Sequence, residues 1–156
     1  MIHITKQAAI TGHTSKLGKL IAKYLESCNY TITGFSRSTG HDLRDYSCVS
    51  NILNAVNDFD LVVNCAKPDY VQAQLLYRLI DSGFKGKILS IGSPVVHHLP
   101  EQWTSLGLLE YATQKTALFH AHQTLSKFYT NQLLIWEPAH DFNFEYVSSA
   151  LQEKIS

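Results

Sequence analysis

The chain has 156 residues, 45% of them apolar and 17% charged. That is the size of one domain, expected over residues 1–156, which buries roughly two thirds of its unfolded surface without staples. Lys+Arg and Asp+Glu are equal at 13 each, which argues against nucleic acid or an anionic membrane as partner, since both select a strong basic field. No apolar run approaches the ~20 residues of a membrane span, and MIHITKQ lacks a signal-peptide layout.

Short β-like runs alternate with helical stretches along the chain. Ala8–Thr11 (AAIT) is an apolar strand, and Leu17–Leu25 (LGKLIAKYL) has apolar residues at helical spacing. Tyr30–Phe35 (YTITGF), rich in Thr and aromatics, is a second strand. Asp45–Val56 places Val49, Ile52, Leu53 and Val56 on one helical stripe. Leu61–Asn64 (LVVN) is a continuous apolar strand of the kind buried on both faces in parallel sheets. Helix 70–82 turns Val71, Leu75, Leu76 and Leu79 inward, and Lys87–Ile91 (KILSI) is the fourth strand. A long helix over Tyr111–Tyr129 leads to a fifth strand, Gln132–Trp136 (QLLIW), stopped by Pro138, and a terminal helix over Phe144–Ile155. Strands separated by helical crossovers pair in parallel, so the fold class is α/β: a doubly wound parallel sheet of Rossmann type in three α/β/α layers. Ligands of such sheets bind beyond the carboxyl ends of the strands.

The residues at those ends carry chemistry. After strand one comes TGHTSKLG, Thr11–Gly18. Gly12 and Gly18 suit a strand-to-helix turn whose backbone N–H groups approach a pyrophosphate, or an ordinary βα turn that needed glycine. Thr14 and Ser15 add hydroxyl donors, while His13 and Lys16 add positive charge or are solvated loop residues. After strand two, Ser36, Arg37 and Ser38 stand where a site for an unphosphorylated ribose presents an acid. A guanidinium matches a phosphate in charge and geometry, so Arg37 is either a surface arginine or the mark of NADP over NAD. In HDLRD, Asp42 is an acceptor for an adenine amino group and Asp45 an N-cap. Asn64 ends the third strand as a ligand contact or a structural terminator, and Ser93 follows the fourth. YATQK then sets Tyr111 and Lys115 one helical turn apart: a proton donor beside the cation that tunes it, or a chance i,i+4 pair.

Together these segments resemble the short-chain dehydrogenase/reductase family. TGHTSKLG stands for its TGxxxGxG turn, NCAK (Asn64–Lys67) for its NNAG, ILSIGS for the strand ending in a catalytic serine, and YATQKTAL for YxxxK. EPA (Glu137–Ala139) stands where the family has Pro-Gly. The match runs in order from about residue 7 to 140. The resemblance implies a nicotinamide cofactor, NADP(H) in preference and NAD(H) as the alternative, and oxidoreduction of a small carbonyl or alcohol. It assigns proton donation to Tyr111, phenolate stabilisation and ribose contact to Lys115, and the substrate oxygen to Ser93. It extends the cofactor contacts to Leu17, Leu43, Cys65, Ala66 and Pro138, with Tyr111 and Lys115 included.

The chain departs from the family at several points. Lys16 replaces the middle glycine of the turn, Lys67 the glycine of NNAG, and Cys65 its second asparagine. Helix 70–82 has no asparagine for a proton relay and offers Gln72 and Gln74 as amides. The segment from Ser93 to Tyr111 is long, and the usual last strand is missing, which leaves Trp136, His140 and Phe142 as the expected pocket wall. These departures support an alternative, an NAD(P)-binding regulatory or scaffolding protein without catalysis. Little room is left for a nucleotide sugar. Paired histidines at 97/98 and 120/122 lack metal-ligand spacing, so no metal is expected. His120 and His122 read as helix-surface residues. Cys28, Cys48 and Cys65, with no CxxC, fit reduced thiols and a cytoplasmic location. Relatives dimerise through the equivalents of helices 70–82 and 111–129, which implies a homo-oligomer.

Overall fold

The computed structural model describes residues 4–139 and 141–156. The elements run β1 (Lys6–Thr11), α1 (Lys16–Ser27), β2 (Tyr30–Phe35), α2 (Tyr46–Ala55), β3 (Leu61–Asn64), α3 (Val71–Asp81), β4 (Lys87–Ile91), α4 (Leu106–Ser126), β5 (Leu133–Trp136) and α5 (Phe144–Ile155). The five strands form one sheet in the order β2-β1-β3-β4-β5, and every neighbouring pair is parallel. Rossmann-type α/β architecture is therefore borne out. His41–Asp45 forms no strand outside β2, so the sheet has the shorter doubly wound order, with its switch point between β1 and β3.

Strand residues alternate between two cores, as the two-residue period requires. Ala9, Val62, Ile88 and Leu133 face a core completed by Val49 and Ile52 of α2, Leu75 and Leu79 of α3, and Leu118 and Leu125 of α4. Ala8, Ile10, Leu61, Val63, Leu89 and Ile91 face the other, with Leu17, Ile21 and Leu25 of α1 and Val147 and Leu151 of α5. Both faces are covered, which explains why Leu61, Val62 and Val63 are apolar at successive positions.

Registry brings the carboxyl ends level. Thr11 pairs with Phe35 on one side and Asn64 on the other, Asn64 with Ser90, and Ile91 with Trp136. The Thr11 hydroxyl locks this edge by donating to the Val63 carbonyl at 3.3 Å and accepting from the N–H groups of Cys65 and Ala66 at 3.1 and 3.3 Å.

Several boundaries differ from the sequence expectation. β1 begins at Lys6, where Gln7 N–H donates to Asp60 Oδ2 at 2.8 Å. Asp45 is the N-cap of α2, accepting from Ser47 N. The long helix starts at Leu106, not 111, because the Ser105 hydroxyl caps it by accepting from Leu108 N at 3.3 Å. Its first turn carries Leu106 at 84% exposure, so the buried stripe that marks a helix is missing there. Among the described residues, no helix is long and apolar enough to cross a membrane.

Gly18 sits where α1 crosses the first turn. A Cβ there would lie 2.4 Å from the Gly12 carbonyl oxygen and 2.8 Å from His13 Cα. Gly18→Ala gains about 1 kcal/mol of helix propensity, but backbone cannot yield as a side chain can. The variant should be destabilised by about 1–3 kcal/mol; a denaturant midpoint at or above that of the parent would contradict this close approach.

Candidate active site

A groove of about 390 Å³ opens over the carboxyl ends of β1, β2 and β3. Of the expected cofactor contacts, Gly12, Thr14, Ser15, Ser36, Arg37, Ser38, Asp42, Leu43, Cys65 and Ala66 line it, joined by Phe35, His41, Lys67 and Pro68. Gly12 is required by conformation and by space, with φ +71° and a would-be Cβ 3.0 Å from Ala66 Cα. Ser15 caps α1: its hydroxyl accepts from Gly18 N–H at 3.0 Å and donates to the Gly12 carbonyl at 3.0 Å. A helix N-terminus thus opens beside the groove.

Ser36, Ser38 and Thr39 form a hydroxyl cluster, with Ser36 Oγ and Ser38 Oγ 2.8 Å apart and Ser36 N–H donating to Thr39 Oγ1 at 3.0 Å. Arg37 projects from this turn and makes no ion pair among the described residues. Asp42 is not an open acceptor. Arg44 donates to Oδ1 through its N–H and Nε and to Oδ2 through Nη2, at 3.0–3.1 Å, which lowers the Asp42 pKa.

His13, Lys16, Leu17, Gly18, Asn64 and Pro138 do not line this groove. The His13 ring packs on Gly34, where a Cβ would come within 2.2 Å of it. Lys16 points its amine over the Phe142 ring, 5.2 Å from the centroid. It does not line the groove and so does not plug it.

A second cavity, of about 180 Å³, adjoins the ends of β4 and β5. It is lined by Ser93 and Tyr111 together with Leu17, Lys67, Ile91, Gly92, Pro138, Ala139 and Phe142. Lys67 belongs to both cavities. Ser93 Oγ accepts from Val95 N–H at 3.4 Å, which leaves its own proton to donate. The Tyr111 ring packs against Trp103, with centroids 6.1 Å apart. Phe142 supplies wall as expected, but Trp136 is 6% exposed in the core, its ring against Tyr146. His140 lies outside the described residues.

Lys115, one turn beyond Tyr111, lines neither cavity; its Nζ lies 5.8 Å from the phenol ring centroid and bonds the carbonyl of the lining residue Ile91. It is 2% exposed. Its ammonium donates to Gln72 Oε1 at 2.7 Å and to the Ile91 carbonyl at 2.8 Å. Gln72 in turn donates through Nε2 to the carbonyls of Asn64 at 2.8 Å and Ile91 at 3.0 Å. Asn64 Nδ2 donates back to the Gln72 carbonyl at 2.8 Å. Burial without a carboxylate partner, with Lys67 adding repulsion, pushes the Lys115 pKa down to about 8. The Cys65 thiol is pushed up by burial.

Sequence reasoning named Gln72 without giving it a task, because an asparagine was the amide sought. It had no signal for the His97–Glu137 pair, at 2.7–2.9 Å, which ties the loop after Ser93 to the end of β5. His122 is not a plain surface residue: it is half-buried, and burial lowers its pKa.

Residues 8–86, half of the chain, match the model of the NAD dependent epimerase/dehydratase family. The chain belongs to that family, and the short-chain dehydrogenase/reductase resemblance is borne out. No curated protein sequence matches. Among solved structures, a small-chain dehydrogenase is similar at 17% identity and TM-score 0.76, over 96% of this chain and 89% of the other. A small-chain dehydrogenase in complex with NADPH is similar at 19% and 0.64, over 80% of this chain and 65% of that one. The 3-ketoacyl-(acyl-carrier-protein) reductase of Brucella melitensis, complexed with NADH, is similar at 16% and 0.68, over 85% and 74%. At these identities the likeness is one of fold.

The low Lys115 pKa has a consequence for stability. The folded chain releases this proton near pH 8 and the unfolded chain near the ordinary 10.5, so the unfolded state binds more protons in between. Stability contributed by Lys115 therefore rises with pH through that window, and the cost of the buried charge is fully present below it. The melting temperature of the parent should climb relative to Lys115→Met between pH 8 and pH 10. A difference that stays flat over that range would contradict the assigned burial.

Proposed function

We propose that the chain is a single NAD(P)-binding domain that reduces a small carbonyl compound, or oxidises the alcohol, with NADP(H) as cofactor. One observation carries the reading: Ser93 and Tyr111 face one cavity, Lys115 bonds the carbonyl of its lining residue Ile91, and an open groove with Arg37 on its wall adjoins it. The cofactor supplies the hydride, and the protein supplies position and electrostatics. The groove residues would hold the adenosine end, Arg37 taking the extra phosphate and the Ser15-capped helix start the pyrophosphate.

The roles of the chain's own residues follow from chemistry. A phenol ordinarily titrates near pH 10, too high for a neutral-pH base. Lys115, with Nζ 5.8 Å from the Tyr111 ring centroid, supplies the positive charge nearest the proposed proton donor. Ser93, with its proton unspent, donates to the substrate oxygen as charge develops there. The reading includes a cytoplasmic location, and a homo-oligomer formed through α3 and α4; exposed Tyr77, Leu106 and Leu108 on those helices support the pairing.

A second reading, nucleotide binding without turnover, is favoured by one feature: two of the three Lys115 donors are already taken by Gln72 and Ile91.

Assayed with NADPH and a carbonyl panel, Tyr111→Phe should lose at least about a hundredfold in turnover. Equal turnover in both proteins would remove the phenol from the mechanism, and tight NADPH binding with no turnover in the parent would favour the second reading. For the cofactor, Arg37→Ala should weaken NADPH at least about tenfold while sparing NADH. Equal losses for the two nucleotides would overturn the NADP preference.

A further inference from the structure

The charge around the Ser93–Tyr111 cavity is one-sided in a chain whose formal net charge is zero. Of its nine lining residues, Lys67 alone is charged. Lys67 forms no ion pair among the described residues. A second ammonium, Lys115, is buried on neutral acceptors, one of them the carbonyl of the lining residue Ile91. A third, Lys16, stands over the outer wall on Phe142. Glu137, just before the lining residues Pro138 and Ala139, is engaged by His97 at 2.7 Å, and the exposed Asp69 and Asp141 do not line the cavity. Across the larger groove, Asp42 is likewise held by Arg44. Lys67 on the wall of a space of about 180 Å³, with Lys115 bonded to the Ile91 carbonyl, Lys16 over Phe142 and no carboxylate among the lining residues, disfavours a cation and attracts an anion.

We infer that the substrate is a small oxo acid or hydroxy acid, whose carboxylate pairs with Lys67 while its reacting oxygen meets Ser93 and Tyr111. The inference rests on the reductase reading above and adds the substrate class to it. Lys67 stands where the resembled family has glycine, so the ammonium is a feature of this chain. Its place in both cavity walls puts it between a ligand of the large groove and a ligand of the small one.

The test compares 4-oxopentanoate with its methyl ester, a pair that differs in the charge. Binding is read by tryptophan fluorescence in the presence of NADP, since Trp103 packs on Tyr111. The acid should bind about tenfold more tightly than the ester, the value of one charge-assisted contact. Lys67→Met should abolish that preference and Lys67→Arg should keep it. The preference should also shrink as salt is raised. Equal binding of acid and ester, binding of neither, or a preference unchanged in Lys67→Met would overturn the inference. So would a Lys67→Met protein that loses NADPH affinity while keeping the acid preference, which would assign the ammonium to the dinucleotide. The reductase reading fails separately: preferential binding of the acid without turnover of any carbonyl would sink that reading alone, and turnover of neutral ketones without acid preference would sink this inference alone.

Discussion

The Lys115 ammonium, buried against Gln72 Oε1 and the Ile91 carbonyl, is the interaction from which the site is built. Such a charge is costly to bury, and it persists where hydrogen bonds replace its water. Those bonds join four elements: Lys115 on α4, Gln72 on α3, Ile91 at the end of β4, and Asn64 at the end of β3, which exchanges amide bonds with Gln72. With α4 anchored at Lys115, Tyr111 is set one turn earlier on the same side of the helix. With Ile91 anchored, Ser93 follows two residues later. One buried amide therefore sets the spacing of the hydroxyl and the phenol. A missing partner there would leave an unsatisfied group costing about 1–3 kcal/mol, more for the charge itself.

The second constraint is topological. Successive strands leave β1 in opposite directions, to β2 and then to β3, so the connections diverge and a crevice opens above that point. The Thr11 hydroxyl closes its floor by pinning Cys65 and Ala66, and Gly12 lets the wall approach Ala66. The result is a large groove for a long ligand beside a small cavity holding reactive groups, with Lys67 shared between them.

Most of this frame was legible in the residues. The second, third and fourth strands lie where the sequence places them: β3 and β4 as apolar runs buried on both faces, and β2, at the sheet edge, by its Thr and aromatic content. The groove residues were legible because strand ends are where such sheets keep ligands. The start of α4 was not, since Leu106 faces solvent and a helical stripe can be read only where a face is buried. The direction of Lys16 was not legible: a long flexible side chain has several partners within reach, and Phe142 lies far along the sequence. Gln72 was legible as an amide but not as the partner of Lys115, since a bond between positions 43 apart depends on how α3 and α4 pack.

The measurement that bears most directly on this account is a crystal structure of the protein with NADP bound. The account predicts the adenosine end in the groove walled by Arg37 and Leu43, and the nicotinamide ring against Ser93 and Tyr111. A well-ordered nucleotide whose nicotinamide lies away from Ser93 and Tyr111, or whose adenosine avoids that groove, would contradict it.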